Sequence, residues 1–116
     1  MKKIAIPIFK NRISNRLDCC ENIILYFAER DQIKSCKTVH LVKENPVTKL
    51  NMLLELDVDV LICNGITSLY ARKLNDSKIQ VIPWISGEIQ EVIDRYLKGD
   101  LRSFNDEGQV QTKRKL

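Results

Sequence analysis

The sequence has no apolar run near the roughly 20 residues that a transmembrane helix needs. The apolar segment closest to the N-terminus, Ile4–Ile8, is too short for the hydrophobic region of a signal peptide, and no small-residue cleavage site follows it. We therefore expect a cytoplasmic protein that does not attach to a membrane, and we interpret Ile4–Ile8 as part of a first β-strand.

The four cysteines form no Cys-x-x-Cys pair, which excludes zinc-ribbon and thioredoxin-like sites. Disulfides are not expected in a cytoplasmic chain. Cys36 and Cys63 lie inside strand-like patterns, and we interpret both as small buried hydrophobic residues. Cys19 and Cys20 lie in a polar segment. An extended chain would point their side chains in opposite directions, so we expect at most one of them to face a site.

Nucleic-acid binding is not favoured, because the few aromatic residues are scattered and do not interleave with a basic stripe. The formal net charge is +4, and much of this excess lies in Lys113, Arg114 and Lys115. The chain has neither a P-loop nor a Gly-x-Gly-x-x-Gly motif. Apolar residues become rare after Leu101, so we expect one domain at 1–101 and a flexible basic tail at 102–116.

The hydrophobic periodicity predicts an α/β fold. Strands are expected at 3–8, 23–28, 33–42, 58–63 and 79–85, and helices at 46–55, 68–74 and 88–98. The first three strands should form an antiparallel meander, and right-handed crossovers should place the last two parallel to each other. We expect a five-stranded mixed sheet in the order 3-2-1-4-5, flanked by three helices. The last helix has its apolar residues on one face, which should be buried.

The carboxyl ends of the first, fourth and fifth predicted strands should share one edge, where open α/β sheets bind ligands. The loops 10–20, 64–68 and 86–88 meet there, and the last two lead into helix N-termini that favour anions. Two glycines in these loops would let the backbone approach a ligand closely. The candidate binding residues are Arg12, Arg16, Cys19, Cys20, Asn64, Gly65, Thr67, Ser86 and Gly87.

Cationic side chains, open amides and thiols together suit an anionic metal–sulfur cluster, and they also suit a phosphate. Arg12 and Arg16 would neutralise the charge of the cluster. The amides that follow Gly65 and Gly87 would donate to its sulfides, and Cys19 or Cys20 would offer a thiolate whose pKa the arginines lower. The alternative is that the glycines only form turns and the arginines only form a solvated loop face.

Three segments resemble the dinitrogenase iron–molybdenum cofactor biosynthesis family, which includes NifX, NafY and the C-terminal domain of NifB. They are the first strand at 3–7 with Ile13-Ser14, the segment 57–66, and Ile85-Ser86-Gly87 with 91–101. The match extends to about Leu101, with the segments in the family's order. The resemblance implies a ribonuclease H-like fold. It also implies a non-enzymatic carrier or binder of iron–molybdenum cofactor precursors or related iron–sulfur clusters, with cluster donor and acceptor proteins as partners.

The sequence differs from the family in two of these places. A His-Phe-Gly stretch after the first strand is replaced by Arg16, Leu17 and Asp18, and the glycine-rich turn after the fourth strand reads Asn64–Thr67. Cys19 or Cys20 could therefore replace the missing imidazole as metal ligand, or charge and amides alone could hold the cluster. The single histidine, His40, lies on the third predicted strand, and we interpret it as structural or exposed.

A nuclease is the enzyme that this fold class suggests, but it needs clustered carboxylates for two metal ions. The first predicted strand has no carboxylate, and Asp57 and Asp59 lie at the wrong end of the fourth. A ligand-free interaction or regulatory module of the same fold remains as the alternative to a cluster carrier.

Overall fold

The computed structural model describes residues 1–41 and 45–101. Its strands are β1 (Lys2–Phe9), β2 (Arg12–Ile13), β3 (Asn22–Glu29), β4 (Gln32–His40), β5 (Val60–Ile62) and β6 (Gln80–Ile82). Its helices are α1 (Pro46–Glu55), α2 (Ser68–Asp76) and α3 (Ile89–Leu97), and a short 3-10 helix spans Leu17–Cys19.

The sheet is mixed, and its five longer strands follow the path β4-β3-β1-β5-β6. The central strand β1 pairs antiparallel with β3 and parallel with β5, and β5 pairs parallel with β6. The two-residue strand β2 folds back onto the end of β1 as an antiparallel hairpin. The three parallel strands therefore end at one edge of the sheet, beside this hairpin.

Alternate residues of β1 face two separate hydrophobic clusters, because successive side chains of a strand point to opposite faces. Ala5 packs into the cluster that contains buried residues of α1 and α2, whereas Ile4 and Ile6 pack into the cluster that contains α3. The apolar face of α3 is buried as its spacing predicts, with Ile89, Val92 and Ile93 at most 7% exposed. The sheet thus lies between two layers of helix.

The prediction of a mixed α/β fold with three helices is confirmed, but the sheet has six strands and not five, because the sequence analysis placed β2 in a loop. The last predicted strand is too long: β6 ends at Ile82, and Trp84 has φ of 64°, which interrupts extended structure. In the described residues, no helix is long and apolar enough to cross a membrane. The predicted tail at 102–116 lies outside the described residues.

The prediction of a buried Cys36 is wrong, whereas Cys63 is fully buried. Cys36 lies on β4, at the end of the sheet path, where most side chains are exposed on both faces. The strand-like pattern therefore predicted the strand correctly but did not predict that its side chains are exposed. His40 is exposed on the same strand, and its Nδ1 lies 3.0 Å from the side-chain oxygen of Asn22.

Candidate functional site

Backbone hydrogen bonds join the three loops at the carboxyl edge of β1, β5 and β6. The N–H of Leu17 donates to the carbonyl oxygen of Gly65 at 2.8 Å, and the N–H of Gly65 donates to that of Asn15 at 2.8 Å. On the other side of the hairpin, the N–H of Ile13 donates to the carbonyl oxygen of Gly87 at 3.0 Å. The loops that the sequence analysis expected to meet are therefore in direct contact.

Gly65 is needed for this contact, because a Cβ atom at this position would lie 2.8 Å from the carbonyl oxygen of Asn15. The sequence analysis assigned the glycine to the close approach of a ligand, whereas the approach in the structure is between two loops of the chain. Gly87 has φ of +125°, a conformation that other residues rarely adopt. Both glycines thus have a structural role at this edge.

The two helix N-termini at the edge are partly occupied by the chain itself. The Thr67 hydroxyl accepts from the N–H of Tyr70 at 3.2 Å and caps α2. The first N–H of α3, that of Ile89, donates to the carbonyl oxygen of Asn11 at 2.9 Å. The carbonyl oxygen of Asn64 accepts from the N–H of Trp84 at 3.0 Å, and Ser86 is exposed. Fewer amides are therefore open to a ligand than the two helix N-termini alone suggest.

The charge of Arg16 is offset by a neighbouring carboxylate. Its Nη2 and Nε lie 2.8 and 3.1 Å from the two carboxylate oxygens of Asp18. This bidentate pair is the only ion pair among residues 1–41 and 45–101. Arg12 is exposed on the hairpin, and its backbone pairs with Glu88. Arg12 is therefore the site arginine whose charge no described carboxylate neutralises by direct contact.

The adjacent cysteines Cys19 and Cys20 have different environments. Cys19 is exposed, whereas Cys20 is 2% exposed and belongs to the core beneath α1. Burial raises the pKa of Cys20 to about 11, and this outweighs the opposite effect of the nearby Lys49 charge. The expected lowering of the Cys20 pKa is therefore wrong, and Cys20 remains a protonated thiol at neutral pH. Of the two cysteines, only Cys19 therefore exposes its side chain to solvent.

A surface pocket of about 460 Å³ contains three of the predicted site residues, Arg12, Arg16 and Cys19. Its other lining residues are Phe9, Ile13, Ser14 and Asn15. An adjoining pocket of about 390 Å³ also has Cys19 in its lining, and its further lining residues include Lys10, Cys20 and Glu21. We define these two depressions together as the Cys19 pocket. The predicted residues Asn64, Gly65, Thr67, Ser86 and Gly87 support the surrounding loops and do not line it.

The sequence analysis missed Phe9, which lines this pocket, and Lys49, which lies beneath the segment of Cys19 and Cys20. Phe9 is 66% exposed at the end of β1, and the Nζ atom of Lys10 lies 5.5 Å from the centre of its ring. The position of Phe9 directly after the apolar residues of the first predicted strand could have indicated that it lies at this edge. Lys49 of α1 is 6% exposed, and its Nζ donates to the carbonyl oxygen of Cys20 at 2.8 Å. No sequence pattern distinguishes Lys49 from a solvated helix lysine.

The described residues contain no group of three or more His, Cys, Asp or Glu side chains placed to hold a metal ion. At the Cys19 pocket the chain instead offers one exposed thiol, several cationic or amide donors and, among the described lining residues, a single carboxylate, that of Glu21. Such a donor set can hold an anion by charge and hydrogen bonds, and can add a single soft ligand to it.

Solved structures resemble this chain over most of its length. The crystal structure of PH0822 superposes with a TM-score of 0.83 at 19% identity, covering 92% of this chain and 98% of that one. The apo form of the orange protein from Desulfovibrio gigas has a TM-score of 0.73 at 14% identity, covering 89% and 92%. A crystal structure from Methanocaldococcus jannaschii, provisionally named a dinitrogenase, has a TM-score of 0.73 at 20% identity, covering 85% and 90%. At these identities the likeness shows the fold alone.

No curated protein matches the sequence. The model of one protein family, described as dinitrogenase iron-molybdenum cofactor, matches residues 1–99, which is nearly all of the described chain. The match confirms the resemblance that the three sequence segments indicated. The chain belongs to the dinitrogenase iron-molybdenum cofactor family.

Proposed function

We propose that this chain binds and carries an anionic metal–sulfur cluster, an iron–molybdenum cofactor precursor or a related iron–sulfur cluster, without catalysing a reaction on it. The observation that carries the proposal is the Cys19 pocket, in which an exposed thiol lies beside Arg12 and Arg16 at the carboxyl edge of the parallel strands. Family membership supports this kind of cargo. The fold would be of the ribonuclease H-like class, used here as a scaffold for binding.

The balance of charge at the pocket supports an anion, because Lys10, Arg12 and Arg16 outnumber the carboxylates of Glu21 and Asp18. Arg12 and Lys10 are exposed on the hairpin that forms one side of it. Arg16 contributes hydrogen-bond donors more than net charge, because Asp18 offsets its guanidinium. A ligand with several negative sulfides would compete with Asp18 for these donors. Arg12 and Lys10 are therefore the side chains that we expect to attract the cluster.

Cys19 is the proposed thiolate ligand, because Cys20 is buried and protonated at neutral pH. The loops of Gly65 and Gly87 support the pocket and do not line it. The donors proposed for sulfides within the pocket are therefore the side chains of Arg12, Arg16 and Asn15. The amides that follow the two glycines are proposed as donors only to a cluster that extends beyond the pocket. A cluster that brings its own sulfides needs few ligands from the protein. It can then be passed between a donor and an acceptor protein, which are the proposed partners in the cytoplasm.

Anaerobic loading tests the proposal. The protein is incubated with ferrous iron and sulfide, or with tetrathiomolybdate, then desalted and assayed for bound metal and visible absorption. We expect the wild type to retain metal. We expect Arg12→Met to weaken retention by roughly three- to tenfold, as for the loss of one nearby, partly screened charge. Arg95→Met, which removes the same charge from α3, is the matched control and should bind as the wild type does.

Cysteine variants separate thiolate ligation from electrostatic docking. Cys19→Ser should retain less metal and should lose only the thiolate-to-metal part of the absorption, because the cluster's own sulfides still absorb. Cys36→Ser, at the other exposed cysteine, should match the wild type. If Cys19→Ser binds and absorbs as the wild type does, ligation by thiolate is wrong and electrostatic docking remains. If Arg12→Met and Arg95→Met are also indistinguishable, the pocket assignment is wrong. A wild type that retains no metal contradicts cluster carriage.

A ligand-free interaction module is the second candidate function. The site loops satisfy several of their own backbone groups, and Arg16 is already paired, so the edge is ordered without a ligand. Phe9 at the end of β1 and Trp84 in the loop after β6 are 66% and 38% exposed at this same edge and could contact a protein. A wild type that takes up neither metal source would favour this function.

A further inference from the structure

Lys49 lies beneath the segment that carries the two adjacent cysteines. It belongs to α1, is 6% exposed, and is the only buried charged side chain among the described residues. Lysine is rarely buried this deeply unless its ammonium has hydrogen-bond acceptors, because desolvation of the charge is costly. The partners of its Nζ therefore indicate what this charge does.

The acceptors of Lys49 are two backbone carbonyls on either side of Cys19. Nζ donates to the oxygen of Cys20 at 2.8 Å and to the oxygen of Asp18 at 3.4 Å. A single ammonium thus holds the residue before Cys19 and the residue after it. This clamp fixes the backbone from which the exposed thiol projects into the pocket.

The charge of Lys49 is not offset by a carboxylate within 4 Å in the part of the chain that the structure describes, where the one ion pair is Arg16 with Asp18. Backbone carbonyls satisfy its hydrogen bonds but leave its net charge intact. The charge also acts on the neighbouring cysteine, since it opposes the rise in the pKa of Cys20 that burial causes. A buried charge is screened by salt less than the exposed Arg12 or Lys10.

We propose that Lys49 is the positioning residue of the Cys19 pocket: its ammonium clamps the carbonyls on either side of Cys19 and gives the pocket a positive potential that selects anions. This inference rests on the proposed function for its cargo, but the clamp and the potential can be tested without any cluster. Lys49 would act through the Cys19 segment and would not touch the cargo.

The test compares two alkylating reagents at the same thiol. Iodoacetate is an anion and iodoacetamide is neutral, so the ratio of their alkylation rates at one cysteine reports the local electrostatic potential. The fraction of thiolate and the access to the thiol affect both rates alike and largely cancel in this ratio. Peptide mass spectrometry reads Cys19 and the exposed Cys36 separately in one sample. Cys36 is the internal control. The rate ratio measured at each cysteine in urea is the reference for the unfolded chain.

We expect the ratio of the iodoacetate rate to the iodoacetamide rate at Cys19 to be higher in the folded wild type than in the same peptide in urea. Lys49→Met should lower that ratio roughly two- to fivefold, the effect of one charge across about 6–10 Å of partly screened space. The ratio at Cys36 should not change. Lys73→Met, which removes an exposed charge from α2, should leave both ratios unchanged, and Lys49→Arg should retain the wild-type ratio at Cys19.

An unchanged Cys19 ratio in a folded Lys49→Met variant would overturn the proposal, and so would an equal fall at Cys36. If Lys49→Met does not fold, Lys49→Gln takes its place, and a Cys19 ratio equal to that of Lys49→Arg would overturn the proposal. A wild-type Cys19 ratio equal to that in urea would also contradict a positive potential at the pocket. Metal retention is measured separately. The positioning role can therefore fail while cluster binding stands, and cluster binding can fail while the potential stands.

Discussion

Two buried thiols make the stability of this protein sensitive to alkaline pH. Burial raises the pKa of Cys20 to about 11 and that of Cys63 to about 12, from the usual 9.0. Unfolding would expose both thiols and return their pKa values to about 9. Above that pH the unfolded chain binds fewer protons than the folded chain, so the free energy of unfolding falls as pH rises.

We expect stability to be unaffected by these thiols below pH 9 and to decline between pH 9 and about 11 to 12. The slope is at most about 1.4 kcal/mol per pH unit for each thiol. Cys20→Val should flatten the decline, whereas Val at the exposed Cys36 should not. Urea unfolding at a series of pH values measures this. Equal slopes for the two variants would show that burial of Cys20 does not suppress its ionisation.

A second residue-scale prediction concerns Gly65. Gly65→Ala should destabilise the protein by about 1–3 kcal/mol, because the new Cβ would meet the backbone of Asn15 and force two loops apart. Gly99→Ala is the comparison, since its added Cβ meets nothing within 4 Å and only the φ of +73° is unfavourable. Thermal unfolding should show the larger loss for Gly65→Ala. A smaller loss than for Gly99→Ala would mean that the loops separate easily.

At the scale of elements, the caps of α1 and α2 follow directly from the residue types. Asn45 accepts from the N–H of Thr48 at 2.9 Å, and Thr67 caps α2 in the same way. Thr67→Ala should therefore cost about 1 kcal/mol of stability, and Thr67→Ser should cost much less. Both variants should load metal as the wild type does once folded, because Thr67 lies outside the pocket lining. A loading defect in a stable Thr67→Ser variant would indicate that Thr67 contributes to metal binding.

Periodicity identified the helices because each buries one continuous apolar face, as α3 does with Ile89, Val92 and Ile93. It missed β2, because two residues are too few to show an alternating pattern. It also could not show that Asp18 pairs with Arg16, since ion pairing depends on the turn of the 3-10 helix between them. The loops of the site were thus predictable, but the free charges and the exposed thiol within it were not.

At the scale of the whole molecule, the outer strand β4 and the carboxyl edge of the described sheet are protected in different ways. β4 ends the path on one side and places Lys34 and Lys37 in the solvent, which disfavours pairing with another strand. The carboxyl edge of the parallel strands is instead closed by contacts between loops, through Gly65 and Gly87. The architecture therefore leaves this edge ordered by the chain itself.

Hydrogen exchange tests whether this edge is rigid before a ligand binds. The N–H groups of Leu17 and Gly65 bond across the loops, and we expect them to exchange nearly as slowly as that of Ile6 in the central strand, because they should open only with the sheet. The N–H of Asp31, in the exposed hairpin turn between β3 and β4, should exchange fast and is the reference for a free loop.

Gly65→Ala should accelerate exchange at Leu17 more than at Ile6, because the clash with Asn15 loosens the loop contact in addition to lowering the stability of the whole fold. If Leu17 and Gly65 exchange as fast as Asp31 in the wild type, the edge is mobile and a ligand would have to order it. Binding would then carry the entropic cost of that ordering, which weakens affinity. Slow exchange at both amides would instead mean that the Cys19 pocket is formed in advance, so that a cluster can be taken up and released without refolding of the loops.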